Sequence, residues 1–293
     1  MSDEHELTPA EAAALVRVPM PGDDKYARGV LGMLTGSSRY PGAAVLGVEA
    51  ALRTGVGMLR YLGAARAADL VLQRRPEAVT APGRVQAWVI GSGMGLLGAA
   101  ADGAVEEAHD PETAERVRTA LVSGHPLIID AGAIAPAVLV EARGPVIITP
   151  HAGELARLTG TDVAAVTADP VAAARSTADR FGVAVLLKGH TTRVVAPGGP
   201  VLVARQAPAW LATAGAGDAL AGILGALTAT HAAATPLTGQ PVDLPQLARL
   251  GAAAAVLHGL AATRASAGGP LTVLDLCAAL PATVAALLDA ADR

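Results

Sequence analysis

Aromatic side chains are nearly missing from this chain of 293 residues: one Phe, two Trp and three Tyr make up 2% of it. A core without them has to be built from Ala, Val and Leu, which favours helices but gives thin packing surfaces. Cysteine is as scarce. Cys277 stands alone, which excludes an internal disulfide and suits a reducing cytoplasmic compartment. No basic block is present and the net charge is −4, which argues against nucleic acid as the main partner. Mean hydropathy is high at +0.43, and residues 219–242 contain no Asp, Glu, Lys or Arg. That stretch nevertheless holds Pro236, His231, four threonines and several glycines. A spanning helix needs about 20 predominantly apolar residues, so no membrane span is expected. A basic start followed by an apolar run is lacking too, so no secretory signal is expected. Thr8, Pro9 and Glu11 read instead as a helix opening: N-cap, first-turn proline and capping-box acid.

What is present is a recurrence of short apolar runs closed by glycine or polar turns. The stretches 85–93, 126–132, 145–151, 183–189 and 192–199 read as strands, and "GVLGMLTGSS" (29–38) is a further one. The first four are apolar on both faces, as in a covered parallel sheet. Helical patterns fall between them at 42–54, 111–123, 152–159 and 170–181, and residues 217–290 read mainly as helix with a polar break near 235–245. Alternating strand and helix predicts a layered α/β domain. With no repeat and no linker composition, residues 1–293 are expected to form one domain. Ligands of such sheets bind beyond the carboxyl ends of the strands, which selects Gly91–Gly95, Asp130, Thr149–Glu154 and Lys188–Thr192.

One stretch stands out chemically. In "TAGAGDALAG" (213–222), glycines and alanines lead into an apolar helix whose sole charge is Asp218. Small residues let the N–H groups of Ala214, Gly215, Ala216 and Gly217 converge on an anion, and the helix start adds its dipole. Asp218 fits two roles: a first-turn acid beside the dipole, or a base held next to a bound phosphate. No Gly-Lys-Ser/Thr follows, so this is not a Walker A loop.

An anion hole of small residues ending in Gly-Asp resembles the ribokinase-like superfamily. Five further stretches, in order, narrow the likeness: "KYARG" (25–29), "YPGAAVLGVEAALRTGVGML" (40–59), "VIGSGMG" (89–95), "TPHAGELARLTG" (149–160) and "LLKGHTT" (186–192). Together they resemble the ADP-dependent NAD(P)H-hydrate dehydratases over about residues 7–290. The resemblance implies a three-layer α/β/α sandwich with a mostly parallel central sheet. It implies substrate contacts at Ala43, Gly95, His151 and Asp218. It places Lys188, Gly189, His190, Thr191, Thr192 and Gly217 around the adenosine nucleotide. Residue by residue, plainer readings stand beside these. Glu154 is either a first-turn helix acid or an organiser of Mg2+ through water, and Thr191 and Thr192 suit an ordinary hairpin turn. Three departures from the family pattern are visible. Ser92 stands where Pro is usual, a change expected to be harmless. Asp24 stands where His is usual. "QAPAWLATAG" (206–215), with Pro208 and Trp210, replaces an Asn-x-Gly-Met/Leu run.

The activity implied is repair of damaged nicotinamide cofactors: ADP-dependent dehydration of (6S)-NADHX and (6S)-NADPHX to NADH and NADPH, releasing AMP and phosphate. Bacterial family members use ADP and eukaryotic ones ATP, and the pattern here looks bacterial. Asp218 would be the catalytic base, Mg2+ the metal, a homotetramer the assembly, and a separate NAD(P)HX epimerase the partner in the pathway. The alternatives are a superfamily kinase of hydroxyethylthiazole or hydroxymethylpyrimidine, and a nucleotide-sensing module without turnover.

Overall fold

The computed structural model describes residues 4–97 and 111–291. Its apolar runs assemble into one nine-stranded sheet. In chain order the strands are β1 (Glu4–Glu6), β2 (Val30–Leu34), β3 (Met58–Tyr61), β4 (Ala87–Ile90), β5 (Leu127–Ile129), β6 (Val146–Ile148), β7 (Ala184–Leu187), β8 (Thr192–Val195) and β9 (Val201–Ala204). They lie side by side as β1-β9-β8-β7-β6-β5-β4-β2-β3. Every neighbouring pair is parallel except those made by β8, which runs antiparallel to β7 and β9. The carboxyl ends of β2, β4, β5, β6 and β7 therefore share one edge, and the turn from β7 into β8 lies on it.

Alternate residues of the strands face two helical layers, because successive side chains leave a strand on opposite sides. Leu31, Met33, Val89, Ile128, Ile147, Leu186 and Val194 face a layer formed by α1 (Pro9–Ala13), α2 (Pro41–Thr54), α9 (Ala216–Thr238), α10 (Leu244–Ser266) and α11 (Val273–Ala291). Leu34, Trp88, Ile90, Ile129, Ile148, Val185 and Leu187 face the other layer. This one is built from α4 (Pro111–Val122), α5 (Pro136–Glu141), α6 (Ala152–Thr159), α7 (Val163–Ala168) and α8 (Pro170–Phe181). The expected three-layer α/β/α sandwich is formed. In the first layer, buried Glu49 of α2 pairs with Arg53 of its own helix. It also pairs with Arg74 and Arg75 at the end of α3 (Ala65–Arg74), tying the two helices together.

The expected strands and helices form within a few residues of their predicted bounds. The capping box is present at Thr8 and Glu11. β1, β3 and β9 were not anticipated. β1 is Glu-His-Glu at the sheet edge and is held by ion pairs from Arg193 and Arg205 rather than by apolar burial. The charge-free stretch near 219–242 is α9, whose apolar part is 61% buried between the sheet, α2 and α10. By length and composition alone, two helices among the described residues could cross a membrane: α9 and residues 273–290 of α11. The polar break falls between Gly239, in the left-handed region at φ 68°, and the Asp243 cap of α10.

α2 and α9 touch through glycine. A Cβ on Gly222 would lie 2.2 Å from the Gly47 carbonyl oxygen, and a Cβ on Gly47 would lie 3.4 Å from that of Asp218. Gly222 is therefore explained by the helix contact, not by anion binding.

Candidate active site at the carboxyl ends of the strands

The centre of this edge is Asp130, directly after β5 and buried. One carboxylate oxygen accepts from Thr149 Oγ1 at 2.6 Å and from Lys188 Nζ at 2.9 Å, and the other from Ser92 Oγ at 2.7 Å. These donors follow β6, β7 and β4, so four strand ends converge on one carboxylate. Burial pushes the Asp130 carboxyl up, but Lys188 and the two hydroxyls outweigh it and hold the group below its ordinary value. For Lys188, burial works against the charge, yet Asp130 and Glu154 keep the ammonium above its usual range. Glu154 Oε2 is 3.6 Å from Lys188 Nζ.

His151 and Glu154 open α6 as a capping box. His151 Nδ1 accepts from the N–H groups of Gly153 at 3.0 Å and Glu154 at 3.3 Å, while Glu154 Oε2 accepts from the His151 N–H at 2.8 Å. With Nδ1 used as an acceptor, the proton of the neutral ring sits on Nε2, 3.4 Å from Glu154 Oε1. The plainer reading of Glu154 as a first-turn acid thus accounts for one of its oxygens.

Opposite Lys188 lies the start of α9. Gly215 caps it at φ 90°, a conformation that favours glycine. A side chain on Gly217 would begin 3.4 Å from Lys188 Nζ. In the predicted anion hole, the Ala216 N–H is engaged by the Thr213 carbonyl at 3.4 Å, and those of Gly217 and Asp218 have no acceptor among the described residues. Asp218 makes no hydrogen bond and no ion pair with the described residues. Burial and the Asp130 charge push its carboxyl up to about 7, with Lys188 pulling the other way.

Between these elements is a cavity of about 580 Å³. Lys188, Gly189, His190, Thr192 and Gly217, all expected around the nucleotide, line it, and His151 borders it. Thr191 lies in the same turn outside the lining. Ala43 and Gly95 lie elsewhere on the edge, in a second group. The Ala43 Cβ would be 2.4 Å from a Cβ on Gly93, and Gly95 follows on that loop with open space at its Cβ position. Ser92 and Asp130 join the two groups.

The departing stretch 206–215 forms the far wall through Gln206, Ala207, Pro208 and Leu211. Trp210 points away, half exposed, and donates its indole N–H to the Gly268 carbonyl at 3.3 Å. Asp24 caps its own turn by accepting from the N–H groups of Tyr26 and Ala27. Sequence reasoning gave no role to His258 of α10, which is buried beneath the cavity beside Lys188 and Ala216. Burial drives its imidazole down to about 4, against a pull from the Ala216 backbone, so the ring is neutral near pH 7.

Comparison with known proteins finds relatives in sequence and in fold. The family described as NAD(P)H-hydrate dehydratase matches residues 31–280. A bifunctional NAD(P)H-hydrate repair enzyme of Mycobacterium leprae is 42% identical over 238 residues, 78% of this chain and 46% of that protein. The chain thus spans about half the length of such bifunctional relatives. An ADP-dependent (S)-NAD(P)H-hydrate dehydratase of Xanthomonas campestris is 36% identical over 220 residues, 72% of this chain and 76% of that one. The crystal structure of the ADP/ATP-dependent NAD(P)H-hydrate dehydratase of Bacillus subtilis, co-crystallised with ATP and Mg2+, shares the fold. Its TM-score is 0.78 at 24% identity, over 96% of this chain and 97% of that one.

Proposed function

Since the chain belongs to the NAD(P)H-hydrate dehydratase family, we propose that it dehydrates (6S)-NADHX and (6S)-NADPHX with ADP as phosphoryl donor, releasing AMP and phosphate. The observation that carries this reading is a buried ammonium, Lys188, and the open N–H group of Gly217 on the cavity lining, with Asp218, a carboxylate without hydrogen bond or ion pair among the described residues, directly after Gly217.

The 6-hydroxyl of the substrate is a poor leaving group. Asp218 takes its proton as the oxygen attacks the terminal phosphoryl group of ADP; a base poised near neutral pH suits that task. The N–H groups at the α9 start stabilise charge on the transferred phosphoryl without having to reorganise. Lys188 contributes a point charge. The lone pair of the ring nitrogen then expels phosphate, and loss of a ring proton restores the double bond. His151 and the Ala43 and Gly95 turns bind the hydrated ring, and Gly189, His190, Thr191 and Thr192 bind the nucleotide.

Among the described residues no three His, Cys, Asp or Glu converge as a metal cluster. Mg2+ would therefore enter on the phosphates of the nucleotide, with Glu154 holding it through water. When bound, it neutralises charge on the transferring group.

The test is incubation of purified protein with NADHX and ADP, followed by the absorbance of reduced nicotinamide. Recovery of that absorbance with stoichiometric AMP and phosphate is expected. A stable phosphorylated product would instead identify a kinase, and neither turnover nor phosphate release would identify a sensor.

A further inference from the structure

The charges at the site are arranged unevenly. Lys188 could neutralise Asp218, yet its ammonium is held by Asp130 at 2.9 Å, with Glu154 at 3.6 Å. Asp130 is itself fixed by two hydroxyls, Ser92 Oγ and Thr149 Oγ1. Neither of its oxygens is free to turn. Asp218, directly after Gly217, feels the Lys188 charge but makes no hydrogen bond or ion pair with the described residues. We propose that Asp130 is a positioning residue: with Ser92 and Thr149 it anchors the Lys188 ammonium on the β5 side of the cavity floor, and so keeps Asp218 an unpaired carboxylate able to accept a proton.

An ion pair between Lys188 and Asp218 would favour the charged carboxylate and make it a poor base. Holding the cation away avoids this while leaving Lys188 beside Gly217, where an incoming phosphate meets it. The groups around Asp218 come from every adjoining element. They are Asp130 after β5, Lys188 after β7, Gly215 at the cap of α9, whose Cβ position is 3.8 Å from Asp218 Oδ2, and Gly47 of α2 against the Asp218 main chain, with neutral His258 of α10 beside Lys188. Of these, only Asp130 and Lys188 carry charge near pH 7. Glu154 is turned toward His151 and Lys188. The two hydroxyls matter because a buried carboxylate accepting several hydrogen bonds stays ionised. An Asp130 that took up a proton would release the lysine.

The role of Asp218 as proton acceptor rests on the function proposed above, but the electrostatic arrangement can be tested without turnover. Protein labelled with 13C at aspartate carboxyl carbons is titrated, and the Asp218 signal is assigned by its loss in Asp218→Asn. In the unaltered protein the Asp218 midpoint is expected near 7. In Asp130→Asn it should fall by about one pH unit or more, because a like charge is removed and the opposite charge of Lys188 is no longer held back. In Lys188→Met it should rise. The double variant Asp130→Asn/Lys188→Met exchanges an ion pair for a neutral pair and should return close to the starting midpoint. If one single variant does not fold, the double variant against the remaining single variant makes the same comparison. An Asp218 midpoint in the ordinary carboxylate range, or one that stays put in the variants, overturns the proposal. A protein that titrates as described but does not dehydrate NADHX refutes the function and leaves this arrangement standing. In an active protein, the acid limb of the rate profile should move with the same signs.

Discussion

An aspartate in the first turn of a helix ordinarily gains from the dipole and loses its proton readily. Asp218 behaves in the opposite way because burial and the Asp130 charge outweigh the pull of Lys188. The effect on stability has a definite sign. Its carboxyl is raised in the folded protein from the ordinary 3.8 to about 7, so its favourable contribution is complete below pH 3.8 and is lost as pH rises through 7. Asp218→Asn should therefore melt higher than the unaltered protein at pH 8, and the gap should close toward pH 4. The same variant should still bind ADP, while NADHX dehydration falls by about 10²–10⁴-fold, the usual worth of a positioned base. Near-normal turnover removes the base assignment, and an unchanged melting difference across pH removes the burial argument. Asp218, Lys188, Gly217 and His151 were legible in the sequence because each follows an apolar run or opens a glycine-rich turn. Asp130 was visible as a strand-end residue, but "DAG" carries no motif, so its hub position emerges only when Ser92 and Thr149 arrive from other strands. The same contact gives Ser92 a hydrogen bond that a proline could not make. His258 left no signal, being one polar residue in an alanine-rich helix far along the chain from the site.

The elements were legible where apolar length was sufficient. β2, β4, β5, β6 and β7 are runs buried on both faces, and the helices between them have clear starts. β1 was not, because three polar residues at an edge take their structure from Arg193 and Arg205. The glycines of "TAGAGDALAG" divide by element. Gly215 serves the turn, Gly217 lies beside Lys188, and Gly222 serves the contact with α2. A paired substitution tests this. Gly222→Ala gains about 1 kcal/mol of helix propensity but forces a methyl to 2.2 Å from the Gly47 oxygen. Overpacking costs about 1–3 kcal/mol, occasionally more, so a net loss in urea unfolding is expected. Gly42→Ala, near the start of α2 with nothing within 4 Å of its Cβ position, should be neutral or stabilising. Equal effects from the two substitutions would remove the contact argument.

Across the whole molecule, the charge balance limits how phosphate can be accommodated. The chain is net negative at −4, and the Lys188 ammonium is already faced by Asp130 and Glu154. A nucleoside diphosphate therefore arrives at a site with little uncommitted positive charge beyond its N–H groups. Dehydration should accordingly require Mg2+. Activity with ADP should vanish in excess chelator and return on adding Mg2+; full activity in chelator would refute this. Glu154→Gln should raise the Mg2+ concentration needed for half-maximal rate. An unchanged requirement would confine Glu154 to capping α6.

The glycine contact between α2 and α9 also acts as a caliper. The amino-terminal turn of α2 carries Ala43 and that of α9 carries Gly217, so the two helices deliver the two halves of the edge. Where they cross, backbone meets backbone, with no rotamer in between to absorb a change. The span between the Ala43 turn and the Gly217 turn is thus gauged by main-chain geometry. Widening the jaws to admit a bulkier acceptor would require one helix to slide along the other, which no exchange of side chains at the rim can accomplish.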